Sequence, residues 1–373
     1  MRHVAALAGV SLKTVSRVVN REPGVSDDLR EKVERAVERL DYTHNLTASN
    51  LRRSHGRSGV IGVLVQDVSN SFSVALLRSL EDVARERRCV VLAASIDEES
   101  ERERSLVADF VARRVDGLIL MPSTPDQSYL AAELRAGLPA VFVDRPPRGV
   151  AADSVLVDNR RGARDAVKHL LSFGHTRVAV LIDLVSIPTA ADRLHGYEAA
   201  LRAAGLRLDP RLVITNLRTS EDAQTALTDL MTGANPPTAV FACRNILSIG
   251  AIRALHSLGL SHRVALVGFD DFPLADLMNP PLTVIRQDVR VIGQRAAELL
   301  FARIEGDRSP PKHLVSKPTL VARGSGEIRP FNASLDDRGG AARWHRRDQR
   351  SAAPATSTAS AGTRVGERPV EVE

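Results

Sequence analysis

The sequence predicts an α/β protein with a small helical module at its N-terminus, followed by two doubly wound lobes. Short apolar runs rich in β-branched residues alternate with helical stretches from Val60 to Phe269, a pattern typical of parallel strands joined by helical crossovers. This alternating region is too long for a single sheet, so two lobes are expected. Residues 1–40 keep helical periodicity instead, which separates them from the body.

The helical module is predicted to contain three short helices. The first spans residues 4–8 and ends at Gly9, because glycine readily adopts the left-handed conformation found at helix C-termini. Ser11 is the predicted N-cap of the second helix, residues 12–20, and Ser26 is the predicted N-cap of the third. Helically spaced apolar side chains supply a core for the module: Val15, Val18, Val19, Leu29, Val33, Ala36, Val37 and Leu40.

The body is predicted to run strand and helix in turn. Strands are expected at 60–65, 89–94, 117–121, 140–143, 155–157, 177–182, 212–215, 239–242 and 264–269. The helices between them are expected near 74–87, 100–113, 128–136, 160–172, 190–204, 221–231 and 246–258. Residues 327–373 are rich in Gly, Ala, Ser, Thr, Pro and Arg without a sustained period, and this composition predicts a disordered tail.

Composition excludes several classes of protein. The 373 residues are 43% hydrophobic and 26% charged, which is ordinary for a globular protein. There is no run of 18 apolar residues and no apolar signal-peptide core, so we expect a cytoplasmic protein without a membrane partner. Cys89 and Cys243 are far apart in apolar runs and predict neither a disulfide framework nor a zinc site. No metal or cofactor is expected.

The positive charge is concentrated at the N-terminus. Residues 1–57 hold 11 lysines and arginines against 7 acidic residues, whereas residues 58–326 hold 32 against 31. Residues 327–373 hold 8 against 7. A small basic module on a nearly neutral body indicates a polyanionic partner for that module.

The first two helices have the spacing of a helix-turn-helix, in which the second helix presents its N-terminal side chains to the major groove of DNA. Arg17 can pair with guanine O6 and N7, Lys13 can reach guanine or phosphate, and Leu12 can contact a thymine methyl. Short polar side chains suited to phosphate oxygens complete this face: Thr14, Ser16 and Asn20. The alternative is an amphipathic helix whose polar face is merely solvated.

The segment resembles the N-terminal headpiece of the LacI/GalR family of bacterial transcription regulators, whose signature is V-A-x-x-A-G-V-S-x-x-T-V-S-R-V-x-N. Residues 4–20 match every fixed position of that signature, and 24–26, 30–33 and 40–45 continue the likeness, which places Asn45 in the DNA-binding set. The resemblance extends through the body to about Ser325. Family members usually begin a few residues earlier, with a Thr-Ile-x-Asp segment that completes the first helix, so we expect Met1 to lie downstream of the true start. The alternative is a first helix that is shorter by one turn.

The resemblance also implies a role for the basic linker, residues 41–58. In the family this segment forms a hinge helix that folds on operator binding and wedges a leucine into the minor groove. Residues 48–52 align with the hinge helix, which makes Leu51 the candidate wedge. The alternative is that Leu51 is an ordinary apolar linker residue.

The body resembles periplasmic sugar-binding proteins, and the resemblance implies a ligand in the cleft between the lobes, at the carboxyl ends of the strands. The expected lobes are about 58–157 plus 288–314, and about 158–287 plus 315–326. The residues that match the family's ligand positions are Gln66, Asn70, Phe72, Asp144, Arg145, Arg193, Arg244 and Asp270. Ser71 and Ser73 depart from the family's Pro and Phe. For each candidate, the alternative is a buried polar group satisfied within the protein.

Arg244 bears on the charge of the ligand. An arginine at this position would add a bidentate donor and favour a sugar acid or a sugar phosphate over a neutral sugar. Alternatively, Arg244 pairs with an internal carboxylate such as Asp270.

These observations predict a homodimeric DNA-binding regulator, most simply a repressor, that binds a near-palindromic operator and a small effector, a sugar or sugar derivative. Two alternatives stay open: a solute-binding protein of a sugar transporter, and an α/β enzyme acting on a sugar phosphate. The sequence contains no G-x-x-x-x-G-K-[ST], G-x-S-x-G or H-E-x-x-H motif, so no enzyme activity is expected.

Overall fold

A computed structural model describes residues 1–19, 23–42 and 57–330. Met1–Arg329 forms one compact unit, and a second unit begins at Pro330. Three residues of the predicted DNA-binding set, Asn20, Asn45 and Leu51, lie outside the described residues, as does the predicted tail from residue 331 onward.

The N-terminal module contains the three predicted helices: α1 (Arg2–Ala8), α2 (Leu12–Val19) and α3 (Asp27–Arg39). Gly9 ends α1 in the left-handed conformation, with φ 63° and ψ 33°, and its N–H donates to the Ala5 carbonyl. The Ser11 hydroxyl accepts from the Thr14 N–H at 3.1 Å, so the predicted cap of α2 is confirmed.

A small core holds these helices together, and it consists of Val4, Val15, Val18, Val33 and Ala36. Ser26 is the N-cap residue of α3, as predicted, although its side chain makes no capping hydrogen bond, and Asp27 and Asp28 place acidic side chains in the first turn. One expectation at α3 is wrong, namely that Leu40 belongs to the core. Leu40 is 42% exposed, because α3 ends at Arg39 and the next residue no longer follows its buried face.

The first lobe is built on a six-stranded sheet that is parallel throughout. Its strands are β1 (Val60–Val65), β2 (Val90–Ser95), β3 (Leu118–Leu120), β4 (Ala140–Val143), β5 (Asp153–Val157) and β11 (His313–Ser316). Their order across the sheet is β11-β5-β4-β3-β1-β2. Helices α4 (Ser71–Glu86) and α11 (Val289–Ile304) cover one face, and α5 (Ser100–Ala112) and α6 (Ala131–Arg135) pack toward the other.

The second lobe repeats this architecture. Its strands are β6 (Val178–Leu181), β7 (Val213–Ile214), β8 (Ala239–Ala242), β9 (Ala265–Phe269), β10 (Thr283–Arg286) and β12 (Thr319–Val321), in the order β12-β10-β9-β8-β6-β7. Only the β10–β12 pairing is antiparallel among the described strands. Helices α7 (Asn159–Ser172) and α8 (Pro188–Ala203) cover one face, and α9 (Ser220–Thr232) and α10 (Asn245–Ser257) complete the lobe.

The chain passes between the two sheets three times: after β5, after β10 and after β11. The alternating pattern ended at residue 269, so it did not predict β10, α11, β11 or β12. Ordered contacts continue past the expected boundary at 326. The His175 imidazole bonds through Nε2 to the Ile328 carbonyl at 2.7 Å, and His169 bonds to Glu327. These contacts attach the segment before Arg329 to the second lobe.

Helices α9 and α10 approach closely at Gly250, and replacement of this glycine by alanine is expected to destabilise the second lobe. An added Cβ would lie 2.2 Å from the Ser220 carbonyl oxygen and 2.7 Å from the Ala223 Cβ, so the helices must separate. Overpacking of this kind costs about 1–3 kcal/mol, more than the helix propensity that alanine adds. Thermal unfolding measures the effect.

Gly233→Ala is the matched control, because the nearest atom to its added Cβ is the Leu230 carbonyl oxygen at 3.5 Å, an ordinary contact. We expect its melting temperature to stay near that of the wild type. Equal melting temperatures for Gly250→Ala and Gly233→Ala would show that the close helix contact is not restrictive.

Candidate functional site

A cavity lies between the carboxyl ends of the strands of the two sheets, and its volume is about 520 Å³ with its open mouth included. All eight predicted ligand residues line it: Gln66, Asn70, Phe72, Asp144, Arg145, Arg193, Arg244 and Asp270. The structure therefore brings together side chains from both lobes, as expected for strand ends that meet at one edge. Their role in ligand binding stays a prediction.

Two of the three arginines in the cavity are held by carboxylates of the protein itself. Arg145 donates from Nη1 and Nη2 to the two oxygens of Glu98, at 2.7 and 2.5 Å. Arg244 donates from Nη1 to Asp183 Oδ2 at 2.5 Å. Arg244 thus pairs with an internal carboxylate, although the partner is Asp183 and not Asp270.

The third arginine, Arg193, is fixed by several partners at once. Its Nε donates to Asn159 Oδ1 at 2.8 Å, and its Nη1 donates to the Cys243 carbonyl at 2.5 Å. Its guanidinium carbon lies 3.8 Å from the centroid of the Phe269 ring. Its Nη1 is also 3.8 Å from Asp270 Oδ2, so each cavity arginine has a carboxylate neighbour.

Two aspartates end strands at equivalent places in the two lobes. Asp144 follows β4 with φ 66°, and Asp270 follows β9 with φ 72°, a left-handed conformation that aspartate tolerates better than most residues. Burial raises the pKa of Asp270, and the charge of Asp144 raises it further, against the opposing effects of Arg193 and Gln287. Strained backbone and a perturbed carboxyl are typical of ligand sites.

Two buried polar atoms at the cavity have no hydrogen-bond partner among the described residues. One is the acceptor Gln287 Oε1, whose neighbouring Nε2 donates to Asp270 Oδ1 at 2.5 Å. The other is the donor Arg145 Nε, which lies 3.6 Å from Asp144 Oδ2. An unused acceptor and an unused donor match a ligand that carries hydroxyl groups, since a hydroxyl both donates and accepts.

The two lobes contact each other across the cleft through side-chain amides. Asn70 and Asn245 exchange hydrogen bonds, each amide nitrogen donating to the other's oxygen at 3.1 Å. Asn245 Nδ2 also donates to Ser71 Oγ at 2.9 Å. Asn70 Oδ1 in addition accepts from the Phe72 N–H and so caps α4. Asn70 therefore joins the lobes as well as lining the cavity.

Sequence reasoning did not select several polar residues of the cavity, among them Asp183, Thr189, Asn245 and Gln287. Asp183 follows β6 almost directly, so a search for polar residues just after each predicted strand could have found it. Gln287 follows β10, a strand that the alternating pattern did not predict. Asn245 gave no signal beyond its position next to Arg244.

The predicted DNA-binding face lies on α2. Leu12 is 48% exposed and Lys13 is exposed, while Thr14, Ser16 and Arg17 are partly buried. The Thr14 hydroxyl is hydrogen-bonded to Ser11 Oγ at 2.9 Å. Arg17 donates from Nη2 to the Pro23 carbonyl at 2.7 Å, which holds its guanidinium beside the turn that precedes α3.

Among the described residues, no cluster of three or more His, Cys, Asp or Glu side chains could hold a metal ion. No helix in the described ranges is long and apolar enough to cross a membrane.

Two family models match the chain. The model of bacterial regulatory proteins of the lacI family matches residues 1–45, and that of the periplasmic binding protein-like domain matches residues 167–326. The first covers all of the described helix-turn-helix, and the second covers most of the second lobe.

Relatives extend over both parts of the chain. The ribose operon repressor of Haemophilus influenzae is 32% identical over 87% of this chain and 98% of its own length. A lac repressor dimer bound to operator and an anti-inducer is 28% identical, covers 87% of this chain and 97% of its own, and has a TM-score of 0.75. A regulator from Enterococcus faecium with bound ribose is 27% identical over 73% of this chain and all of its own, with a TM-score of 0.65.

These matches confirm the predicted fold class, and they do not support the solute-binding alternative, because they include the helix-turn-helix. The chain belongs to the lacI family of bacterial regulatory proteins, which are DNA-binding regulators of transcription.

Proposed function

We propose that this protein is a cytoplasmic, homodimeric repressor without enzyme activity, and that a neutral sugar in the cleft controls its affinity for a near-palindromic operator. The observation that carries the choice of effector is the pairing of every cavity arginine with a carboxylate. The relatives support the class of ligand, since one is named a ribose operon repressor and another holds ribose.

The charge balance of the cavity disfavours an acidic ligand. Glu98, Asp183 and Asp270 each lie beside one arginine, and Asp144 adds a further carboxylate. A sugar acid or sugar phosphate would have to displace one of these carboxylates or bring its own charge beside it, and close like charges repel. A neutral sugar instead offers hydroxyls to the carboxylates, to Arg145 Nε and to Gln287 Oε1.

Control of DNA binding then follows from a shift in population between arrangements of the lobes. The ligand contacts both lobes, so it favours the arrangement in which both sets of side chains reach it. The exchange of hydrogen bonds between Asn70 and Asn245 adds to that closed arrangement. In a dimer, a change in lobe arrangement alters the spacing of the two DNA-binding modules, and operator affinity changes with it.

The surface supports self-association. Leu274 is 66% exposed and Leu277 is 75% exposed in the segment after β9, and Val90 is 65% exposed on the edge strand β2. Neighbouring exposed apolar side chains that form one patch mark subunit contacts, and Leu274 and Leu277 lie three residues apart on one segment. Two copies related by a twofold axis would present two recognition helices, which is why the proposed operator is near-palindromic.

Isothermal titration calorimetry with a panel of neutral sugars, sugar acids and sugar phosphates tests the choice of effector. We expect binding by a neutral sugar such as D-ribose, D-galactose or cellobiose, and weaker or no binding by gluconate and ribose 5-phosphate. Asp183→Asn removes the charge that neutralises Arg244, so this variant should bind the acidic ligands more tightly than the wild type does.

Asp192→Asn is the matched control. Asp192 lies on α8 and forms an exposed ion pair with Arg160 of α7, outside the cavity. Its ligand preference should equal that of the wild type. Tighter wild-type binding of an acid or phosphate than of every neutral sugar would overturn the assignment.

A further inference from the structure

The end of the basic linker is fixed to the first lobe by one carboxylate. Asp116 accepts from the Ser58 N–H at 2.6 Å, from the Ser58 hydroxyl at 3.0 Å and from the Gly59 N–H at 2.7 Å. Its own N–H donates to the Val60 carbonyl at 2.7 Å. Both carboxylate oxygens are therefore used to hold the last linker residue and the one after it, just before β1 begins.

This position is the point at which the DNA-binding module joins the lobe. The linker enters β1 at its amino end, the edge of the sheet opposite the cavity, and Asp116 stands at the matching edge just before β3. Arg57 adds a second contact by donating to the Ile304 carbonyl at the end of α11. The start of the sheet thus receives the linker at a defined place.

The segment that ends at Asp116 contains α5, and its other end lies at the cavity. Glu98, just before α5, pairs with Arg145 in the cavity wall. Glu103, in the first turns of α5, is buried and accepts from the Ser123 and Thr124 N–H groups at 2.5 and 3.0 Å. It also accepts from the Tyr129 hydroxyl at 2.6 Å, and these bonds lower its pKa against the opposing effect of burial.

We propose that Asp116 is a positioning residue for operator binding: it fixes where the linker leaves the lobe, and α5 connects it to the wall of the sugar cavity. When the linker leaves the lobe at a fixed place, the DNA-binding module stays close to the position in which it binds the operator. Less conformational entropy is then lost on binding. Because α5 connects the cavity wall to Asp116, a displacement of the cavity wall is transmitted through α5 to the point where the linker joins the lobe. The second part rests on the proposed sugar response, whereas the first does not.

The test uses full-length Asp116→Asn and a duplex enriched from a random pool by the wild-type protein. The amide keeps the shape of the side chain but cannot accept at both positions, so one backbone N–H loses its partner. We expect operator affinity without sugar to fall about tenfold, the loss typical of one hydrogen bond to a charged group. The lost hydrogen bond lowers the melting temperature whatever the role of Asp116, so the deciding readout, measured well below that temperature, is the ratio of operator affinity to scrambled-duplex affinity. We expect that ratio to fall, which a merely structural role would not cause.

Asp109→Asn is the matched control, because Asp109 is an exposed acid on α5 whose side chain lies 3.7 Å from Arg113 and far from the contacts of Asp116. Ser58→Ala is a milder variant: it removes the hydroxyl contact with Asp116 and the contact of that hydroxyl with the Val60 N–H at 3.2 Å, but it leaves both backbone N–H bonds to the carboxylate. It should give a smaller loss in the same direction. Wild-type operator affinity for Asp116→Asn, or equal losses for Asp116→Asn and Asp109→Asn, would overturn the assignment. A loss of scrambled-duplex affinity as large as the loss of operator affinity would overturn it as well.

The coupling is tested with D-ribose, D-galactose and cellobiose at saturation. We expect the ratio of operator affinities with and without sugar to move toward one in Asp116→Asn, while the affinity for the sugar itself is unchanged. If the wild type responds to a sugar and Asp116→Asn shows the same ratio of operator affinities with and without that sugar, transmission through α5 is contradicted. If the wild type itself ignores every sugar, the proposed effector is wrong and the route falls with it, while the sugar-free measurement still decides the role of Asp116 at the linker.

Discussion

Replacement of Arg17 by alanine is expected to remove most of the preference for operator over other DNA. Arg17 lies on α2, where its guanidinium donates to the Pro23 carbonyl in the absence of DNA. In a complex it can turn to guanine, and a bidentate contact of this kind contributes about 1–3 kcal/mol of discrimination. Two copies in a dimer double that contribution. Anisotropy titrations with operator and with a scrambled duplex measure the ratio.

Arg35→Ala removes the same charge from α3, where Arg35 forms an exposed pair with Glu31 at 3.8 Å. It should reduce affinity for both duplexes equally and slightly, since a lost charge weakens DNA binding without regard to sequence. Sugar binding should be unchanged in both variants, because the cavity is formed by other parts of the chain. Equal effects of the two substitutions on the ratio would contradict a base-reading role for Arg17.

Asp270→Asn is expected to weaken sugar binding by about 10- to 100-fold, the loss typical of hydrogen bonds to a buried charged group. The amide keeps the volume of the side chain and its contact with Gln287, but it is a weaker acceptor for a ligand hydroxyl. A variant that does not bind the sugar should hold the operator equally well at all sugar concentrations. Calorimetry with the sugar and anisotropy with the operator measure both effects.

Asp271→Asn is the control, because the neighbouring carboxylate turns away from the cavity and binds Arg323 at 2.5 and 2.8 Å. This variant should lose stability but keep its affinity for the sugar. The pH dependence supplies a second comparison. Burial raises the pKa of Asp270, so the charged acceptor is lost as the pH falls through that raised value. Wild-type affinity for the sugar should fall with it, and Asp270→Asn should show no such fall.

The architecture of both lobes could be predicted from sequence because their central strands are buried on both faces. Val60–Val65, Ala140–Val143 and Ala239–Ala242 stand out as apolar runs, and their predicted bounds match the structure. The strands β11 and β12 gave no such signal. Val315 in β11 is 60% exposed at the edge of its sheet, and exposed edge strands lack the apolar pattern.

The residues that line the cavity could be predicted from sequence, but the ion pairs between its arginines and carboxylates could not. Strand ends that meet at one edge bring Asp144 and Asp270 to the cavity whatever the details of packing, and Arg193 reaches the same cavity from α8. Which carboxylate meets which arginine depends on the arrangement of two lobes. Arg244 pairs with Asp183, which is 61 residues away, and no local pattern indicates that partnership. The pairing of each cavity arginine with a carboxylate, and with it the proposed class of effector, therefore required the structure.

The most direct test of the account is to enrich binding sites from a random duplex pool and then titrate the enriched duplex with and without a bound neutral sugar. We predict that an inverted repeat is enriched, and that the sugar changes its affinity by about 5- to 150-fold, the range typical of coupled sites. Enrichment of no inverted repeat, with binding that depends on salt but not on sequence, would contradict the account, as would an affinity that no bound sugar changes.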